Sequence, residues 1–198
     1  MDLHEEIRVG LSASLTGKFS RQGQQVLEGA RLWEAYTNEL GGIALGNERR
    51  PVRLIHYDDA SRVSTAEQNT LSLLRDDHVD ILLGPYSSAL TAAAAKLAEK
   101  HEKILWNHGG SSDQIFTLGL RWLVSTLSPA SDYLRGLPQW LAQHAPGLKR
   151  IGLVYFSRGL FSSEVARGVW EGAEAVGLHT VEFLPVLSPL GKTEAILR

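Results

Sequence analysis

At 198 residues, 43% hydrophobic and 21% charged, the chain carries enough apolar material for one large domain or two small ones. Lys and Arg total 20 against 22 Asp and Glu, a net charge of −2 that leaves no basic surplus to hold nucleic acid by counterion release. Zero cysteines exclude a disulfide scaffold and thiolate metal sites, yet fit either redox compartment.

No apolar stretch approaches the roughly 18 residues that would span a bilayer, so direct membrane insertion is not expected. Met1 to Glu6 is acidic rather than a basic start to a secretory leader, which leaves two readings, a cytosolic protein or a mature secreted one.

Ile7 to Ser12 reads as a short apolar strand. After a turn with Thr16 and Gly17, the residues Val26, Ala30, Trp33, Thr37 and Leu40 recur at helical spacing until Gly41-Gly42 ends the helix. A turn rich in Gly, Asn and Pro leads to a strand over Val52 to Tyr57. Ser64 is placed to cap a helix running to about Asp77, and Asp80 to Gly84 is a nearly continuous apolar strand. Leu90 to Lys100 predicts an alanine-rich helix, Ile104 to Trp106 and Arg121 to Ser125 short strands, and Tyr133 to His144 a helix. A strand over Ile151 to Phe156, a helix over Ser163 to Val176 and a strand over Thr180 to Leu184 close the series.

Strands that alternate with helices pair in parallel, because parallel neighbours need a crossover and a helix supplies it. The expected fold is therefore doubly wound α/β. Pro129 and the polar stretch Ser125 to Ala130 separate two strand-helix series, which sets the expected lobes at 1–126 and 127–198.

In such sheets ligands gather beyond the carboxyl ends of the strands. Here those ends are Ser14 to Gly23, Asp58 to Ala60, Gly84 to Ser88, Asn107 to Ser112 and Phe156 to Phe161. Most carry Ser, Thr or Gly, whose hydroxyls and accessible main chain suit a polar ligand.

Several of these segments, taken in order, resemble the type I periplasmic solute-binding proteins, in particular the branched-chain amino acid and amide-binding group. The likeness rests on Arg8-Val9-Gly10-Leu11 followed by Leu15-Thr16-Gly17 and Gly23, on Glu28-Gly29-Ala30 with Gly41-Gly42-Ile43, and on Tyr57-Asp58-Asp59. It continues in Leu83-Gly84-Pro85-Tyr86-Ser87-Ser88 and in Trp106-Asn107-His108-Gly109-Gly110-Ser111-Ser112. The resemblance implies two lobes of parallel sheet, the second incomplete in this chain and continuing past Arg198. It implies a periplasmic or extracellular place with the leader removed, and solute capture for an ABC importer by hinge closure. The implied partners are a membrane permease and a small ligand: an amino acid, an amide or an aromatic acid. A sensing receptor built on the same clamp is the alternative.

Carried over by position, the implied ligand-binding residues are Ser88, Gly109 and Ser111, with Gln22 and Phe161 lining the pocket. The aromatics Tyr86, Trp106 and Phe161 point to a larger or aromatic ligand side chain. Trp106, His108 and the Gly109-Gly110 pair depart from the usual family residues.

Plainer roles stand beside these. Ser87 or Ser88 could cap the following helix, Gly109 and Gly110 could permit a tight turn, and Phe161 could belong to a core. Trp33, Trp140 and Trp170 read as core or interface residues. No metal site is expected at His56, Asp58 and Asp59, since no partner cluster accompanies them. No catalytic residue is assigned and no cofactor is implied: His108, Ser88 and Asp113 lack the strained elbow of a hydrolytic nucleophile.

Overall fold

The structure, a computed structural model, describes residues 5–157 and 159–186. Met1 to His4, Arg158 and the stretch from 187 to Arg198 lie outside the described residues. The chain divides into two compact units: one of Met1–Gly110 and Leu118–Leu127, the other of Ser111–Thr117 and Ser128–Arg198. The segment Ser111–Thr117, expected within the first lobe, thus belongs with the second unit. The reason is polar: it is bonded to residues far along the chain, as set out below.

The first unit is built on a five-stranded parallel sheet. Its strands are β1 (Ile7–Ala13), β4 (Val52–Asp58), β5 (Ile81–Leu83), β6 (Leu105–Asn107) and β7 (Leu123–Ser125), in the order β4-β1-β5-β6-β7. Strand β1 is paired along its whole length with β4, Ile7 opposite Val52 through Ala13 opposite Asp58, and on its other side Val9, Gly10 and Leu11 face Ile81, Leu82 and Leu83. The Gly- and Asn-containing turn is an antiparallel hairpin, β2 (Ile43–Leu45) with β3 (Glu48–Arg50), which alternation over so few residues did not reveal.

Alternate residues of β1 point to opposite faces, and each face has its own helices. Leu11 and Ala13 pack with Leu27 and Ala30 of α1 (Ser20–Glu39). On the other face, Leu82 and Leu105 join Leu73 and Leu74 of α2 (Val63–Arg75) and Ala94, Ala95 and Ala98 of α3 (Ser88–Lys100). Leu11 and Leu73 are completely buried. Ser64 does not cap α2: the helix begins one residue earlier, with Arg62 in the cap position and no side-chain cap.

The second unit carries α4 (Asp113–Thr117), a 3-10 turn at Ala130–Asp132, α5 (Leu137–His144), and the parallel pair β8 (Arg150–Phe156) and β9 (His179–Val186) joined through α6 (Leu160–Ala175). Helix α5 starts four residues later than its periodicity suggests, since Pro138 takes the first turn, where its missing N–H costs nothing. Trp33, Trp140 and Trp170 are not core residues; 40%, 54% and 45% of their surfaces stay exposed on the helices. Among the described residues no helix is long and apolar enough to cross a membrane.

At Gly23 helix α1 runs close against the loop before it. A Cβ there would stand 2.0 Å from the Ser14 carbonyl oxygen, whereas one at Gly29, two turns on, would meet nothing within 4 Å. Gly23→Ala is therefore expected to destabilise the chain, while Gly29→Ala is expected to stabilise it by about 0.5–1 kcal/mol through helix propensity. Urea unfolding of the two variants side by side checks this, and equal midpoints would contradict it.

Candidate functional site

Because all five strands of the first unit run in parallel, their carboxyl ends share one edge of the sheet. After β1 the chain turns to one neighbour, β4, and later returns on the opposite side as β5. The β1 and β5 ends therefore flank the reversal of winding, where doubly wound sheets leave a crevice.

Two carboxylates shape the β1 side of this edge. Asp58 Oδ1 accepts from the N–H groups of Leu15 (2.9 Å), Thr16 (3.2 Å) and Ala60 (2.8 Å), and Oδ2 accepts from the Thr16 hydroxyl at 2.7 Å. Burial pushes the Asp58 carboxyl upward, but these donors outweigh it and hold the group below its ordinary value. Asp59 is fully buried, accepting from the Ser14 hydroxyl at 2.5 Å, the Ser61 N–H at 2.8 Å and the Ser12 hydroxyl at 3.2 Å. Here burial prevails and the carboxyl is raised, with the neighbouring charge of Asp58 adding to the rise. Both acids are thus engaged in tying the β1 loop to the β4 loop. Among the described residues no group of three candidate ligands could hold a metal ion.

Ser61 extends the same tie. Its hydroxyl donates to the Thr16 carbonyl at 2.8 Å and accepts from the Phe19 N–H at 3.0 Å. Phe19, fixed in this way, meets Tyr86 of the β5 loop edge-on, with ring centroids 5.5 Å apart. Sequence periodicity missed Phe19 because the helix pattern is clear only from Val26; the aromatic lies at the cap position of α1.

The β5 loop is held by its neighbour. Thr91 Oγ1 donates to the Pro85 carbonyl at 2.9 Å, and the Ser87 N–H donates to the Gly109 carbonyl at 3.1 Å. Ser87 has φ +94° and ψ 145°, a region that side chains avoid at a cost of about 1–3 kcal/mol, and its side chain makes no cap bond to α3. Ser88 is the first residue of that helix and half-buried.

Asn107, fully buried at the end of β6, organises the next loop. Its Oδ1 accepts from Gly109 (3.2 Å) and Gly110 (2.8 Å), and its Nδ2 donates to the Gly110 carbonyl (2.7 Å) and the Ser125 hydroxyl (3.0 Å). The main-chain groups of Gly109 are therefore bonded within the loops. What glycine supplies is room, since a Cβ would lie 2.8 Å from the Pro85 carbonyl oxygen. Burial holds His108 below its ordinary value against a bond to the Gly84 main chain, and its Nε2 is buried without a partner among the described residues.

The remaining residues singled out from sequence fall in separate places. Gln22 is half-buried in the first turn of α1. Trp106 lies within β6, as its place in the predicted strand requires, abreast of Leu83 and Val124 and 41% exposed on the sheet face. Ser111 and Phe161 belong to the second unit. There Ser111 accepts from the Ala130 N–H at 2.7 Å. Glu164 of α6 accepts from the Ser112 hydroxyl at 3.1 Å and the Asp113 N–H at 3.0 Å, and Arg167 pairs with Asp113 at 2.5 Å. Phe161, in the first turn of α6, meets Tyr133 edge-on at 5.4 Å and lines an apolar cavity of about 490 Å³ with Leu153, Tyr155 and Val165.

A family model described as periplasmic binding protein matches residues 6–195. Among solved structures, a branched-chain amino acid transporter substrate binding protein of Streptococcus pneumoniae in complex with isoleucine superposes with a TM-score of 0.81. It is 20% identical, and the match covers 97% of this chain and 53% of that one. An ABC transporter solute binding protein of Rhodopseudomonas palustris BisB5, in complex with 3,4-dihydroxybenzoic acid, gives 0.78 at 21% identity over 92% of this chain and 48% of that one. A further R. palustris solute binding protein, in complex with benzoate, gives 0.77 at 21% identity over 97% and 51%. This chain spans about half the length of these structures.

Asp59→Ala would strand three donors, and is expected to cost about 2–4 kcal/mol in urea unfolding. His108 binds its proton less readily folded than unfolded. Its share of stability is complete above the unfolded value of 6.5 and is lost as pH falls through the lower folded one. The unfolding midpoint should drop as pH falls below 6.5, and drop less in His108→Phe; parallel pH profiles for the two proteins would contradict the assignment.

Proposed function

The chain belongs to the periplasmic binding protein family, and from that premise we propose that it captures a small carboxylate solute, an amino acid or an aromatic acid, for an ABC importer. Its place of work is then the periplasm or the cell exterior, its partner a membrane permease, and it performs no chemistry on what it binds. The observation that carries this reading is the meeting of the β1 and β5 loops at the reversal of winding, where Phe19 and Tyr86 form an aromatic pair.

Beside that pair, Ser87 is held in a conformation side chains avoid, and local strain of this kind concentrates at ligand-binding positions. A hydroxyl at the first residue of α3 suits a carboxylate, because the positive end of the helix dipole favours negative charge there. Ser88 is assigned to the carboxylate, Tyr86 to the apolar body of the solute, and Gln22 to the rim. Gly109 serves the site by letting the β6 loop close on the β5 loop. Trp106 retains the contact role that the family likeness implies. Relatives that bind isoleucine, benzoate and dihydroxybenzoate bracket the solute class without choosing within it.

Calorimetric titration with branched-chain amino acids, benzoate and hydroxybenzoates tests the reading, with thermal shift as a second readout. Binding by at least one is expected. Ser88→Ala should weaken it about 10–100-fold through loss of a bond to a charged group, and Tyr86→Ala should weaken aromatic acids more than aliphatic ones. Heats and melting temperatures unchanged by every carboxylate in the series would defeat the proposal.

A further inference from the structure

Residues 111–117 are an excursion from the first unit, since the strands on either side of them, β6 and β7, are neighbours in one sheet. Their bonds run elsewhere. The Ser111 carbonyl accepts from the Ala130 N–H at 2.7 Å. Asp113 is held at three points: its N–H donates to Glu164 at 3.0 Å, Oδ1 accepts from the Ser131 N–H at 3.0 Å, and Oδ2 pairs with Arg167 at 2.5 Å. Arg167 is braced in turn by Glu171 at 2.8 Å, and Glu171 also takes Arg135 at 2.9 Å. Ile115 is only 2% exposed, yet it joins neither buried cluster of the first unit.

The residues just before this excursion have other anchors. Asn107, within β6, takes the N–H groups of Gly109 and Gly110 and the Gly110 carbonyl. Between Gly110 and Ser111 the chain thus passes from bonds of the first unit to bonds of the second with no residue in between. Two rigid sets of anchors on either side of one peptide, with a glycine at the junction, is the arrangement in which a few backbone dihedrals absorb a domain movement. The return is similar: Gly119 has φ +66°, and a Cβ there would meet nothing within 4 Å.

We propose that residues 111–117 are a strap that moves with the second unit, fastened by Glu164 and Arg167 as positioning residues, and that the chain hinges between Gly110 and Ser111. The five-residue helix α4 cannot hold itself, so charge-assisted bonds to α6 decide which unit carries it. The β6 loop stays with the first unit, and movement of the second reaches it through Gly110. The hinge does not depend on which solute is bound.

Residual dipolar couplings of the weakly aligned chain test the proposal, because two units that reorient separately need two alignment tensors. Couplings of Asp113, Ile115 and Phe116 should fit the tensor of α6 and β8, and those of Gly109 and Gly110 the tensor of β1 and β4. In the double variant E164A/R167A the strap couplings should lose that fit and shrink toward the averaged values of a mobile segment, while couplings within α6 and β8 show that the unit stays folded. Arg167→Lys, which keeps a cation beside Asp113, should retain the original pattern. Strap couplings that fit the first unit's tensor, a single tensor serving both units, or a double variant with unchanged strap couplings would overturn the proposal. The first two outcomes are read from the unmodified chain, so they decide the matter even if a variant fails to fold.

Discussion

Strand β1 is bonded in parallel on both sides, by β4 along seven residues and by β5 along three. That double pairing fixes the rest of the first unit. A central parallel strand must be apolar on both faces, so Leu11 and Ala13 are covered by α1 while Gly10 lies against Leu73, Val79 and Leu82. It also sets the β1 and β4 ends side by side, and the two successive acids Asp58 and Asp59 are then used to join them. One acid is exposed enough for its donors to lower it, and the other is buried enough for desolvation to raise it. Neighbours in sequence thus hold opposite electrostatic positions, because the strand ends between them and turns one side chain outward and the other in.

The polar groups at the strand ends serve the loops before they serve anything else. Asn107 uses all of its bonding capacity on Gly109, Gly110 and Ser125. Such prior commitment is what keeps a loop in one conformation, and preorganised loops avoid an ordering cost on binding. It also redistributes roles within a motif: the glycines give clearance, while the hydroxyls of the β5 loop are set where the winding reverses.

The two units use a common backbone device. Helix α3 follows Ser87 at φ +94°, ψ 145°, and helix α6 follows Gly159 at φ +104°, ψ 153°. In each, a strand end is turned abruptly into a helix start. Glycine accepts this without penalty; serine does so only because its N–H and carbonyl are both bonded, to Gly109 and Thr91. The second unit adds a clasp of its own, in which Glu164 and Arg167 of α6 grip Ser112 and Asp113. The short helix α4 is too small to be stable alone, so its place is decided by these bonds.

The sequence by itself determined the alternation of strands and helices, the parallel sheet and the set of loops at its carboxyl edge. These follow from apolar periodicity and from Gly and Pro punctuation, which are local properties of the chain. Even there, α5 began late at Pro138 and the β2–β3 hairpin was too short to announce itself. Only the tertiary structure decided that Phe19 meets Tyr86, that Asp58 and Asp59 serve as loop ties, that Trp106 lies on a sheet face, and that Ser111–Thr117 belongs with the second unit. Each of these depends on residues distant in the chain being brought within a few ångströms, and no local pattern records which distant partner a hydroxyl, carboxylate or ring will find.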